Sequence, residues 1–244
     1  KSLEAVVSNA EVDPERRAKV ILALREVTAD ESELVKYLQA FLKEKQPEPL
    51  QMAAAIAVAD QVEDKQSLVP LLLAGVQSEN WEIKQFAGEA LSNIAEDSPE
   101  ALKLVQSKLK ELEPKPQSAV LVLLCQDERL RDQFSSQLLS QVQGMDQETD
   151  AYQLRAAISY LVRGDREGTA INKLLAEQDQ EIVQQTLRTL GNNADGVPKA
   201  VLPELEALLK NAPPKTRLLA ALCLLKAGSE DEGLLTIVRN ALDS

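Results

Sequence analysis

The chain has 244 residues, 44% hydrophobic but only 3% aromatic, with 9 glycines, two cysteines, no histidine and a formal net charge of −12. The absence of histidine excludes His-based triads, His zinc ligands and His general bases. Sparse glycine and aromatics speak against sandwiches, barrels and Rossmann-type folds, and the negative charge speaks against a surface that grips phosphate backbones.

In chain order one unit recurs: a polar turn, an Ala-rich amphipathic helix, a second turn, then a Leu-rich helix. Leu3, Ala5, Val6 and Val7 read as the second helix of an incomplete unit, which makes residues 1–12 a partial or capping helix. Asp13-Pro14-Glu15 opens the first full unit with a cap residue, a proline at the first helical position and an acid in the first turn. One apolar position late in each first helix marks the register: Leu24, Val58, Leu91, Leu124, Leu161, Leu190 and Leu224, in steps of 34, 33, 33, 37, 29 and 34 residues. Two helices and two short turns fill such a step.

The position three before each mark holds Ile21, Ala55, Gly88, Leu121, Ile158, Leu187 and Ala221. Four before stand Val20, Ala54, Ala87, Val120, Ala157, Thr186 and Ala220. They stay small or aliphatic because one face of the first helix packs on adjacent units, and the small ones admit close approach. Ser98-Pro99-Glu100 repeats the cap of the first unit, Asp30–Glu33 and Ser229–Glu232 read as capping boxes, and Pro47, Pro114, Pro213 and Pro214 punctuate unit starts.

Second helices carry apolar stripes: Leu34, Leu38, Phe41 and Leu42; Leu102, Val105, Leu109 and Leu112; Leu202, Leu205, Leu208 and Leu209. The 37-residue step holds a longer connection, Gln143–Asp150, and Gly191–Gly196 makes a Gly/Asn-rich turn in the sixth unit. Seven in-register copies predict an all-α fold: a right-handed solenoid of about seven helical hairpins, forming a single domain over residues 1–244.

Cys125 and Cys223 each lie in an apolar run and read as small buried hydrophobes, three units apart and too distant to bond. No apolar run approaches the length of a membrane span. The chain begins at Lys1, and no leader pattern follows. The expected location is cytoplasmic and the expected origin is a processed product or a piece of a longer protein, in which case a removed signal or anchor would leave no trace.

The run Asn80-Trp81-Glu82-Ile83-Lys84-Gln85-Phe86-Ala87-Gly88-Glu89-Ala90-Leu91-Ser92-Asn93-Ile94 resembles a HEAT repeat of the phycobilisome-lyase type, and 181–191 and 216–224 resemble it in part. That family opens its first helix with an acidic turn, an aliphatic-Arg pair, Ala pairs and a terminal Leu-Gly. The resemblance implies a HEAT-like array binding proteins on a curved surface, with second helices lining the concave side. It also implies an alternative: a chaperone or bilin-lyase-like assembly factor for a chromophore-carrying protein. HEAT-like hydroxylases hold iron with His-Glu pairs, which this chain lacks; HEAT-like DNA glycosylases need basic and aromatic linings, which are scarce here.

No phosphate loop, nucleophile elbow, metalloprotease helix or C-x-x-C is present. The expected function is therefore a non-enzymatic protein-binding scaffold or adaptor with no cofactor and no metal, taking a protein or peptide, with no nucleic acid and no membrane insertion of the visible chain. An enzyme using Asp, Glu or Lys in a cleft is the remaining option. Opposite the apolar stripes, the expected contact residues are Gln39, Lys43, Gln106, Lys110, Ser136, Lys173, Glu204 and Arg239.

Overall fold

A computed structural model describes residues 3–27, 31–43, 45–145 and 151–242. Among these are fifteen α-helices, two short 3-10 turns and no strand. The first helices are α2 (Pro14–Val27), α4 (Glu48–Val58), α6 (Trp81–Asp97), α8 (Pro114–Gln126), α10 (Ala151–Gly164), α12 (Gln180–Asn192) and α14 (Pro214–Lys226). The second helices are α3 (Glu31–Leu38), α5 (Val69–Val76), α7 (Pro99–Leu109), α9 (Glu128–Val142), α11 (Thr169–Leu175), α13 (Leu202–Asn211) and α15 (Glu232–Leu242), with α1 (Leu3–Ser8) ahead of them. Each first helix carries one register mark, and all seven marks are at most 6% exposed. Of the positions three and four before them, only Val20 is not fully buried.

By contact density the chain falls into two compact units, Lys1–Leu130 and Arg131–Ser244. In the first, α2 packs on α4, α4 on α6 and α6 on α8, while α5 lies against α6. The small residues set the spacing. A Cβ built on Gly75 of α5 would lie 2.7 Å from the Cβ of Ala87, and one on Gly88 of α6 would lie 3.0 Å from Leu123 of α8. The leading α1 is tied down: Val7 is fully buried and its carbonyl accepts from Arg17 Nε at 2.6 Å, while Tyr37 Oη donates to the Glu4 carbonyl at 3.0 Å.

In the second unit α10 packs on α12 and α12 on α14. Between α12 and α14 the Thr216 hydroxyl donates to Gln180 Oε1 at 3.0 Å and accepts from Gln184 Nε2 at 3.4 Å. Both members of the second contact are buried, so the bond offsets their desolvation.

The caps follow the sequence with two corrections. Asp13 Oδ1 accepts from the N–H of Glu15 and Arg16, and Ser98 Oγ from that of Ala101. Pro47 and Pro213 are N-cap residues, and Pro114 and Pro214 open α8 and α14. The cap of α15 is Asp231 rather than Ser229: its Oδ1 accepts from Gly233 N–H at 2.8 Å. Ser229 is used in closing α14, its N–H bonding the Leu224 carbonyl across Gly228, whose φ of +89° suits the left-handed closing residue. The second correction concerns α3, which stops at Leu38. Phe41 and Leu42 lie in the turn beyond, where Phe41 N–H bonds the Leu38 carbonyl and the Phe41 ring packs against Tyr37 at 5.6 Å. The capping position Asp30 and residues 146–150 of the long connection lie outside the described residues.

Candidate functional site

In the first unit the helix end at Leu38 leaves both Gln39 and Lys43 in the turn after α3, exposed, rather than on the helix. Gln106 is half-buried on α7, and Lys110 is the exposed C-cap of that helix. These residues come from two separate places, the turn after α3 and the C-terminal half of α7. Neither of two grooves in this unit is lined by them: one runs along Glu15, Glu48, Met52, Glu79 and Ile83, the other along Phe86, Gly88, Leu123 and Arg129. Arg129 is held by Asp127 at 2.6 Å and by Glu96, exposed ion pairs of little net worth.

In the second unit two of the expected residues meet. Ser136 on α9 and Lys173 on α11, both exposed, line one cavity of about 130 Å³. Leu139, Leu161, Gly164 and Ala170 give it an apolar lining, and Arg131, Asp132, Ser135, Asp165 and Thr169 complete it. Glu204, half-buried in the first turn of α13, and Arg239, exposed near the end of α15, stand apart from it.

The cavity is built by short-range chemistry. Asp165 follows α10 and folds both carboxylate oxygens onto the start of α11, Oδ1 accepting from Thr169 N–H at 2.9 Å and Oδ2 from Ile171 N–H at 2.8 Å. Gly168, at φ +78°, turns the chain there. Arg131 is only 8% exposed and lies across Gly164 so closely that a Cβ on that glycine would collide with its side-chain methylenes. A buried guanidinium beside an open cavity carries a strong local field, because the surroundings screen it less than water would. Lys173 adds a second positive charge. Asp165 has spent its oxygens on backbone N–H groups, and Asp132 is exposed on the rim.

Arg131 and Gly164 were not among the residues expected from sequence. The only local signal is the Leu130, Phe134, Leu138 stripe, which places Arg131 one residue off the buried face of α9. Elsewhere in the unit, burial pushes the Cys223 thiol up to about 11, and burial followed by Tyr152 raises the Tyr160 phenol. Both cysteines are buried, and they are not joined in a disulfide. Among the described residues no group of three His, Cys, Asp or Glu could hold a metal ion, and no helix is long and apolar enough to cross a membrane.

Residues 68–98 match the family model described as HEAT repeat. The segment spans α5 and α6, so the family's unit pairs the second helix of one hairpin with the first helix of the next, one helix out of phase with the hairpins read from sequence. The match is to the general HEAT repeat rather than to its phycobilisome-lyase type. No curated protein matches the chain significantly. A solved structure described as an engineered protein, Northeast Structural Genomics Consortium Target OR329, is similar at 22% identity, covering 93% of this chain and 96% of that one, with a TM-score of 0.34. The matched α5–α6 pair shares its register mark, Leu91, with buried apolar marks in six further first helices, and the chain is an all-α protein that carries a HEAT repeat over residues 68–98.

Proposed function

We propose that the chain is a non-enzymatic scaffold that takes a protein or peptide partner on the exposed side of its second helices. HEAT repeats generally act as protein-interaction scaffolds, and arrays of this kind offer extended binding surfaces. The observation that supports the reading here is the meeting of Ser136 and Lys173, from two successive second helices, at one cavity backed by Arg131. Gln39, Lys43, Gln106 and Lys110 are the candidate contacts within the first unit, and Glu204 and Arg239 are further candidates within the second.

The test is affinity capture from native extract, followed by titration of the purified partner against three proteins: the parent chain, Lys43→Glu with Lys110→Glu, and Lys173→Glu alone. Charge reversal at a desolvated contact costs about 1–3 kcal/mol, which is roughly five- to 150-fold in Kd. All of these side chains are exposed, so the variants fold and circular dichroism confirms it. An affinity unchanged in both variants refutes the assignment of the second-helix face.

A further inference from the structure

The cavity between α9 and α11 has a donor and acceptor set that neither the repeat nor helix capping accounts for. Five of its polar side chains bear on a ligand: Lys173, Arg131, Ser136, Thr169 and Asp132. Asp165 is set aside because its two oxygens are occupied by backbone N–H groups. Among the described residues Lys173 and Asp132 have no ion-pair partner, and the hydroxyls of Ser136 and Thr169 make no hydrogen bond. Arg131 is engaged in interactions of its own, yet its charge still faces the cavity through a buried, weakly screened wall.

Size limits the ligand first. Sites for drug-sized molecules run to roughly 300–1,000 Å³, so a cavity of about 130 Å³ holds one small group, not a segment of chain. Charge limits it next. Two cations and two carboxylates line the cavity, which suits a monoanion on the Lys173 and Arg131 side and disfavours a phosphate carrying two negative charges. The unpaired Asp132, one helical turn before Ser136 on α9, then calls for a donor next to that anion. A side-chain carboxylate brings no fixed donor with it. The last residue of a peptide does, because its amide nitrogen is bonded to the same carbon that bears the terminal carboxylate.

We propose that this cavity captures the C-terminal residue of a peptide, with its carboxylate held by Lys173 and the Ser136 hydroxyl in the field of Arg131, and its amide N–H turned toward Asp132. If the chain is a peptide-binding scaffold, as inferred above, this is the end of the peptide that it holds. Leu139, Leu161 and Ala170 give the terminal side chain an apolar lining, so a small apolar residue fits best.

The experiment titrates four probes into isotope-labelled whole chain and follows backbone amide shifts by NMR: N-acetylalanine, its amide, propionate and inorganic phosphate. N-acetylalanine is expected to saturate shifts at Ser136, Thr169 and Lys173 with a millimolar Kd, the affinity open to so few atoms. Propionate, lacking the N–H, should bind about tenfold more weakly, and the amide should leave the shifts unmoved. Lys173→Met should abolish saturation by N-acetylalanine, while Asp132→Ala, which removes the acceptor, should erase the advantage of N-acetylalanine over propionate. An amide as effective as the acid, propionate equal to N-acetylalanine, phosphate binding more tightly than either, or indifference to Lys173→Met overturns the proposal. None of these readouts involves a protein partner, so the scaffold reading stands or falls separately on the capture experiment.

Discussion

Gly75 gives the most direct test of how the repeat packs. It lies in α5, and its missing side chain is the contact: a Cβ there would sit 2.7 Å from the Ala87 Cβ, 3.7 Å from Ile83 Cγ2 and 3.9 Å from Met52 Sδ. Carbon atoms pack best at about 3.5–4.0 Å, so Gly75→Ala must push α5 and α6 apart by roughly 1 Å or bend one of them. Relief is hard to find, because Ala87 and Ile83 are at most 1% exposed and the obstructing atom is a short side chain fixed to its backbone. Overpacking of this kind costs about 1–3 kcal/mol. Against it, alanine gains at most about 1 kcal/mol over glycine inside a helix, and less near the end of one. The net expectation is a loss of about 1–2 kcal/mol. Urea unfolding followed by circular dichroism measures it, with Ala87→Gly and the double variant completing a thermodynamic cycle. Ala87→Gly alone destabilises by lost helix propensity and a small void, but it removes the methyl in the way. The double variant should therefore be about 1–2 kcal/mol more stable than the two single losses predict. A Gly75→Ala protein as stable as the parent, or strict additivity in the cycle, would show that the α5–α6 contact is not as close as the structure has it.

Two further outcomes are expected. The Cys223 thiol ionises near 9 in the unfolded chain and near 11 in the folded one because burial disfavours the thiolate, so its contribution is fully present below pH 9, falls away between pH 9 and 11 and amounts in full to about 2–3 kcal/mol; a Cys223→Ala protein should lack that part of the alkaline loss, and an identical pH profile for the two proteins refutes it. Lys226→Met removes the ammonium that donates to the Gly191 carbonyl at 2.8 Å and the Asn193 carbonyl at 2.6 Å, at the C-terminal end of α12; thermal unfolding should show a loss of about 1 kcal/mol, and no loss would mean that water serves those carbonyls as well.

The register was readable because it is written by burial. A position that must be apolar in every unit leaves the same letter class every thirty-odd residues, and Leu24 through Leu224 do so regardless of the turns between them. The same signal misplaced the end of α3. Apolar spacing reports which residues enter the core, not which remain in the helical hydrogen-bond ladder. Phe41 enters the core from a turn, so the stripe ran on past Leu38. Ser229 failed for a related reason: serine before three acids is a good cap pattern, but Gly228 before it had already committed Ser229's N–H to closing α14. The phase of the unit was ambiguous for a deeper reason. In an alternating chain of helices each helix has a neighbour on either side, and α6 packs on both α5 and α7. Spacing alone cannot say which neighbour shares its unit.

What made the fold legible also hid the site. Where every unit repeats, any polar residue off the buried face satisfies the pattern whatever its identity, so Lys43, Gln106 or Glu204 carries no mark that separates a contact from a solvated position. Information returns only where the repeat is broken. The 29-residue step from Leu161 to Leu190 is the shortest of the six, and within it lies α11, only seven residues long. At about 1.5 Å per residue such a helix reaches roughly 10 Å, too little to cover the fifteen-residue α9 that faces it across the cavity. The shortening leaves a gap, and Arg131, Ser136 and Lys173 line it. Gly164 and Asp165, which line the cavity and tie down the start of α11, fall within that same short step. The deviation in spacing was visible from the sequence; that it opens beside a buried arginine depends on a close approach between residues 131 and 164, which only the folded chain brings about.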